Sequence, residues 1–342
     1  MSKTIRLDGL SFPMRSVSLA GFAAKYSEPE SGAPAENLVS NEDSYTRVVS
    51  DLSRRASRGG VFLGVGPEQN FSLIAASSPG LAILMDYRRR NALLHLVHKA
   101  LFTLSSDRWG YLSRLIARGP ERKPTDEASP KSLVAAFREA PFDRQRLGRE
   151  IREVRRYLLP LGLVAEGEWE TISTIQARLA GAGMEARFLG LPGYPTMGRM
   201  IVTTRGGNEP AHFLGSEASY QVVRELQLTD RIVPLVGDFA GAGAMGRLRA
   251  GLREMGLALS VVYISDVEFF LFRSGKFNEY IRNLAAFPRL DTAVIVRTST
   301  RPIENRERVS GDQCTTVVRD LAQFLKAAEA GHVRSADDLF RG

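Results

Sequence analysis

Residues Gly60 to Asp86 read GVFLGVGPEQNFSLIAASSPGLAILMD. GVFLGV, Gly60 to Val65, is a short apolar run of the kind a buried parallel strand requires. GPEQN follows as a turn, and FSLIAASS as a short helical segment stopped by Pro79 and Gly80. LAILMD, Leu81 to Asp86, is a second buried strand that ends in an acid. The next stretch, YRRRNALLHLVHKALFTL, sets Leu93, Leu94, Val97 and Leu101 at helical spacing. A strand–helix–strand–helix unit of this kind predicts an α/β fold. It would be a doubly wound, mostly parallel, Rossmann-like sheet with helices on both faces.

Working outward, the same alternation resumes near residue 216. SEASYQVVRELQ reads as a helix, RIVPLVGD as a strand ending at Asp238, and AMGRLRAGLREMG as a helix. LALSVVYISD is a strand ending near Ser265 and Asp266, KFNEYIRNLAAF a helix and DTAVIVRT a strand. CTTVVRDLAQFLKAAEAG reads as one closing helix that begins at Cys314. Residues 107–190 are dominated by helical patterns, with Arg146–Glu150 and Arg149–Glu153 spaced for i,i+4 pairing. A short strand is expected at Met200 to Thr204, and LPGYPTM, Leu191 to Met197, as a surface loop. NLVSNEDSYTRVVSDLSRRA starts a helix, with Ser40 or Asn41 as N-cap and Glu42 and Asp43 in the first turn. SEPESGAPAEN, Ser27 to Asn37, reads as a loop. The domain organisation expected is residues 1–44 as an N-terminal segment and lid over the cofactor site. Residues 45–106 and 216–342 form the cofactor-binding domain, and residues 107–215 a mainly helical insertion over the substrate.

Composition narrows the function classes. The chain has 342 residues, 44% of them hydrophobic, enough for a sizeable core. No apolar run reaches the ~18 residues that a spanning helix needs, and the first residues lack the apolar stretch of a signal peptide. A cytoplasmic protein with no membrane partner is expected. One cysteine, Cys314, excludes an internal disulfide and a thiolate metal cluster. The formal charge is +8, but residues 108 to 156 carry 13 Lys plus Arg against 7 Asp plus Glu. The excess therefore belongs mainly to the helical insertion, and a nucleic-acid partner is disfavoured.

In an open α/β sheet, ligands bind beyond the carboxyl ends of the strands. Gly64, Gly66, Pro67, Glu68 and Asn70 stand after the first strand, and Asp86 after the second. Asp238 and Phe239, then Ser265, Asp266 and Glu268, then Arg297 and Thr298, follow later strands. Gly64 and Gly66 let the backbone turn sharply and approach a ligand. Asp86, 22 residues after Gly64, can accept the hydroxyls of a ribose. The dinucleotide fingerprint needs a third glycine, where this chain has Gln69, and Glu68 would repel a pyrophosphate. Both features favour a nucleoside cofactor without phosphate. Gly241 to Gly246, GAGAMG, is a literal G-x-G-x-x-G, yet it begins about five residues after its strand and reads better as a plain glycine-rich connection. His95 and His98 sit at i,i+3, and no metal site is expected. Arg88 to Arg90 read as a solvated helix face.

FLGVGPEQN followed by LAILMD, with VGD and VVYISD at later strand ends, resembles the class I S-adenosylmethionine-dependent methyltransferase superfamily. The resemblance covers roughly residues 45–105 and 216–300. It implies that Gly64 and Gly66 lie against the methionine part of S-adenosylmethionine and that Asp86 holds the ribose. It also implies that Asp238 contacts the adenine and that Ser265 to Glu268 face the reactive centre. Phe62 to Pro67 is also similar to the loop of nicotianamine synthases. Tyr45, Glu68, Asp266 and Glu268 are the candidates for base or orienter, with Ser265 beside them.

The expected activity is methyl transfer from S-adenosylmethionine to a small molecule, in a protein that acts alone or as a homodimer. One alternative is attack of an amine at the methionine Cγ, with release of methylthioadenosine. Others are an RNA-binding or RNA-modifying protein, and a non-catalytic scaffold on the same fold.

Overall fold

A computed structural model describes residues 5–7, 10–12, 18–30, 37–120, 129–205 and 209–341. A short ribbon of β1 (Ile5–Leu7) and β2 (Leu10–Phe12) and helix α1 (Leu19–Tyr26) precede the main body. The sheet is built from β3 (Val61–Gly64), β4 (Leu81–Asp86), β7 (Ile232–Val236), β8 (Leu259–Ser265), β9 (Arg289–Thr298) and β10 (Thr316–Asp320). A separate two-residue pair, β5 (Thr204–Arg205) and β6 (Glu209–Pro210), lies outside it. The strand order is β10-β9-β8-β3-β4-β7. All neighbours run parallel except β10, which pairs antiparallel with β9 from Thr316–Thr298 to Asp320–Val294. Numbered by their succession in this sheet, the strands run 3-2-1-4-5-6 from the β7 edge, the doubly wound order. The order reverses between β3 and β8, so the crevice of the fold opens at the carboxyl ends of those two strands.

Alternation along the strands splits the core into two layers. Phe62, Leu84, Val261, Tyr263 and Val296 face one layer. Val61, Leu63, Ile83, Met85, Val262 and Ile264 face the other. The first layer is covered by α2 (Val49–Arg55), α3 (Gln69–Ser77), α4 (Arg89–Leu104) and α10 (Glu217–Leu228). The second is covered by α1, α11 (Gly243–Glu254), α13 (Phe277–Ala285) and α14 (Leu321–Glu329). Burial of both faces explains why the strands read as continuous apolar runs.

Between α4 and α10 the chain runs through α5 (Arg108–Leu115), α6 (Pro130–Glu139), α7 (Arg144–Leu158), α8 (Trp169–Ala182) and α9 (Met197–Ile201). Their apolar stripes extend the first core layer through Leu112, Phe137, Val154, Ile175 and Ile201. No helix of the described residues is long and apolar enough to cross a membrane.

Several local expectations change. The closing segment is two elements: Thr316–Asp320 is the antiparallel edge strand, and the helix begins only at Leu321, capped by the Asp320 carboxylate on the Gln323 N–H. Residues 200–204 are the end of helix α9 and one residue of β5. The helix expected from Ser40 or Asn41 starts at Ser44 as a 3₁₀ turn, Ser44–Val48, and becomes α-helical at Val49. Glu150 pairs with Arg114 of α5, across the insertion, in place of Arg146. An additional helix, α12 (Val267–Arg273), follows β8 directly.

Candidate functional site

The Gly64–Asn70 loop is held by a side-chain clamp. Asn70 Nδ2 donates to the carbonyls of Val65, Gly66 and Pro67 at 2.8, 3.1 and 2.9 Å. Gly64 is obligatory, because a Cβ there would lie 2.2 Å from Asn70 Oδ1 and 2.5 Å from the Phe62 ring. Gly66 turns the chain at φ +85°, a conformation that favours glycine. Its carbonyl meets His95 Nε2 at 2.9 Å and accepts from Asn91 Nδ2 at 3.3 Å. Burial drives the His95 pKa down to about 4, so the ring is neutral. His95 and Asn91 on α4 thus act as supports of the loop.

The crevice between β3 and β8 is filled from the N-terminal side. The segment before the 3₁₀ turn brings Glu42 in, and its carboxylate is buried. Oε2 accepts hydrogen bonds from Tyr263 Oη and Thr298 Oγ1, both at 2.7 Å, and Oε1 accepts from the Ser265 hydroxyl. Ser265 ends β8 at φ +54°, where the register with β9 is broken. Held left-handed backbone of a non-glycine residue costs on the order of 1–3 kcal/mol and concentrates at functional sites. Gln69 Nε2 donates to Tyr263 Oη at 3.2 Å, which ties the glycine loop to the same cluster.

Three further carboxylates adjoin it. Glu68 is buried; one oxygen accepts the Ser40 N–H at 3.0 Å, and Oε2 has no hydrogen-bond partner. Asp266 is half-buried beside the Ser265 turn, close to Asn41 and Arg88. Asp86, at the end of β4, takes the Arg88 guanidinium on both oxygens at 2.8 and 2.7 Å, and the Arg88 N–H at 3.0 Å. Desolvation raises Glu42 and Glu68 to about 7, and the Asp266 charge adds to the effect on Glu42. Burial also raises Asp266. Neither Glu42 nor Glu68 makes an ion pair with a described residue. Tyr45 Oη is buried near Glu68 and Ser72, and burial keeps its phenol well above the ordinary range.

The segment is stapled at its far side. Ser44 Oγ lies 2.6 Å from Thr316 Oγ1 and 3.0 Å from Cys314 Sγ, and Asp43 accepts the Gln313 N–H. Arg47 grips Asp312 with two bonds of 2.9 Å. Cys314 precedes β10, and burial pushes its thiol up, so it is an inert packing group.

Of the residues singled out from sequence, the structure therefore gathers Gly64, Gly66, Pro67, Glu68, Asn70, Tyr45, Ser265, Asp266 and Asp86 around one crevice. Glu268 is placed elsewhere. It is buried in an ion pair with Arg297, 2.8 Å away, and accepts from Tyr280 Oη at 3.2 Å in the opposite core layer. Arg297 itself lies over the Phe324 ring. Phe239 is buried in that layer too. Asp238 stands after edge strand β7, where its N–H donates to Glu28 and its carboxylate caps the Ala240 N–H. The GAGAMG loop takes the other Glu28 oxygen on the Ala244 N–H at 2.8 Å, so this glycine-rich connection is engaged by the chain's own carboxylate. Arg88 and Arg89 are not a solvated face: Arg89 clamps Glu168 and the Leu163 carbonyl.

Tyr263 was the member that sequence reading missed; Thr298 was expected at a strand end and Glu42 in a lid beside Tyr45, without their contact to each other. Tyr263 and Thr298 lie on predicted strands, two residues before and at the strand ends, but nothing local marks Glu42 as their partner 221 and 256 residues away.

Comparison with known families places the chain. It belongs to the family described as Domain of unknown function (DUF7790). The family's residues match 37–140 and 195–341, which include every member of the crevice cluster and skip α7 and α8. No curated protein matches the chain.

Proposed function

We propose that the chain is an S-adenosylmethionine-dependent transferase, with methyl transfer to a small molecule as its reaction. The observation that carries this reading is the pair of buried carboxylates, Glu42 and Glu68, at the switch point of a doubly wound sheet, with no cation among the described residues to pair them. Burying an unpaired carboxylate is costly. The cost is relieved when a cationic ligand enters, and four carboxylates around one crevice repel a pyrophosphate. S-adenosylmethionine joins an adenosine to two positive groups, so its chemistry suits these donors. When bound, it supplies an electrophilic methyl carbon on a sulfonium.

The chain's own residues then divide the work. The Gly64–Gly66 loop offers close backbone approach. Asp86 takes the ribose hydroxyls in place of Arg88. Glu42 and Asp266 face positive charge, and Tyr263, Ser265 and Thr298 fix the Glu42 carboxylate. Glu68 is the base candidate, because one of its oxygens is buried and unpartnered and its pKa sits near neutrality. The segment carrying Glu42 excludes water from the crevice. The reaction asks the protein mainly for alignment, which a rigid clamp such as Asn70 provides.

The test is mass spectrometry of the purified protein incubated with S-adenosylmethionine, alone and with a panel of small acceptors. Formation of S-adenosylhomocysteine with a methylated acceptor is expected. Methylthioadenosine from the cofactor alone would replace methyl transfer by attack at Cγ, and no turnover with any acceptor would contradict the transferase reading.

A further inference from the structure

A cavity of about 280 Å³ lies at the carboxyl ends of β8 and β9. Glu268, three residues after β8, and Thr298, the last residue of β9, border it, so it stands where open α/β sheets bind ligands. Thr298 Oγ1 also donates to Glu42 Oε2, so this residue borders both the cavity and the crevice. Leu339 and Phe340 of the second core layer, with Ile303 and Phe269, supply the apolar lining. The volume is near the lower bound of ordinary small-molecule sites, about 300–1,000 Å³, and suits a ligand smaller than a nucleoside cofactor. The walls are held by their own hydrogen bonds. Ser299 Oγ donates to the Arg301 carbonyl and accepts the Thr315 N–H at 2.9 Å, and Thr315 Oγ1 accepts the Ile303 N–H at 3.0 Å. The opposite wall is a 3₁₀ turn, Ala336–Phe340, where Asp338 Oδ2 accepts the Ser335 N–H and hydroxyl, both at 2.9 Å. The hydroxyls of Thr298, Ser299 and Ser335 are thereby engaged within the chain.

Two ion pairs border the cavity, and they differ in how readily they exchange. Glu268 is paired with Arg297 at 2.8 Å, and their side chains are 3% and 2% exposed. Breaking such a pair strands a buried charge, so it is a fixed part of the wall. Arg301 and Asp337 both line the cavity and meet at 2.6 Å, with side chains 63% and 47% exposed. This pair joins the loop after β9 to the 3₁₀ turn, and a pair so open to water adds little to stability. The cavity therefore offers a ligand one guanidinium and one carboxylate, side by side. A ligand with a single charge is repelled by one of the two. A ligand with adjacent opposite charges replaces one pair by two.

We propose that this cavity is a binding site for a free α-amino acid with a large apolar side chain. Its carboxylate pairs with Arg301, its ammonium group pairs with Asp337, and its side chain packs against Phe269, Ile303, Leu339 and Phe340. The site lies beside the crevice, goes beyond the transferase reading, and does not require the cofactor.

Ligand-observed NMR titration of the full-length protein with L-phenylalanine, at neutral pH and without any cofactor, tests the site. Saturable binding is expected. Phenethylamine, which lacks the carboxylate, and 3-phenylpropanoate, which lacks the ammonium group, should each bind at least about tenfold more weakly. Arg301→Gln and Asp337→Asn should each weaken L-phenylalanine by a similar factor. Arg138→Gln, which opens an equally exposed pair with Glu185 in the helical insertion, should leave the affinity unchanged. Far-UV circular dichroism and thermal unfolding establish that each variant is folded, and either cavity variant serves if the other does not fold. Absence of binding, equal binding of either analogue, affinity unchanged in a folded cavity variant, or the same loss in Arg138→Gln would overturn the proposal. Because S-adenosylmethionine is left out, failure of the cofactor reading leaves this readout intact.

Discussion

Glu42 is the residue on which most of the site depends. Its carboxylate is satisfied by three hydroxyls and by no cation among the described residues, and desolvation is the largest influence on its charge state. Glu42→Gln removes the charge and keeps the shape. We expect it to weaken S-adenosylmethionine binding roughly tenfold at pH 8, about 1.4 kcal/mol, with the loss shrinking toward pH 6, where the wild-type carboxyl is protonated. Isothermal titration calorimetry at the two pH values checks this; a loss equal at both would contradict it. Gly64→Ala tests the loop: the added methyl must displace Asn70 or Phe62, an overpacking cost of about 1–3 kcal/mol in chemical denaturation. The loop residues, the Asp86 strand end and Ser265 were legible in the sequence because glycines, acids and strand ends carry local signals. Glu42 was not. In the sequence it looks like a first-turn helix acid in a lid beside Tyr45, and only contacts with β8 and β9 turn it inward.

At the scale of elements, five parallel strands were legible because burial on both faces leaves uninterrupted apolar runs. The sixth was hidden. TTVVRD runs into LAQFLKAAEA without a glycine or proline between them, and only the Asp320 cap separates strand from helix. The start of α11 shows a different effect. The GAGAMG pattern, a literal G-x-G-x-x-G read as a plain glycine-rich connection, meets Glu28 from a distant segment, which accepts the N–H groups of Asp238 and Ala244, each at 2.8 Å. Glu28→Ala removes a partly buried carboxylate from the helix N-terminus. We expect a loss of about 1 kcal/mol in unfolding free energy and unchanged affinity of the crevice for S-adenosylmethionine. A drop in that affinity would tie this loop to the crevice.

Over the whole molecule, the basic balance that first suggests a polyanion partner is spent mostly within the insertion. Arg114 meets Glu150, Arg138 meets Glu185 and Arg155 lies over Trp169. The crevice is the reverse, an acidic interior. This has a consequence for stability. Glu42 and Glu68 titrate near 7 when folded and near 4.5 when unfolded. Between those values the folded state holds protons that the unfolded state has released, so stability falls as pH rises from about 5 to about 7 and then levels. Each carboxylate contributes up to about 3 kcal/mol to this fall. Denaturant unfolding across that range should show the decline, reduced in Glu42→Gln; a rise with pH would contradict it.

The same charge logic makes ligand choice the most direct measurement. Calorimetric titration of the wild-type protein at pH 8 with S-adenosylmethionine, S-adenosylhomocysteine and NAD compares a sulfonium, its uncharged thioether and a pyrophosphate on related adenosine frames. The crevice described here predicts that S-adenosylmethionine binds most tightly, that its affinity falls at pH 6, and that NAD does not bind. Tighter binding of NAD, or no binding of S-adenosylmethionine at either pH, would contradict it.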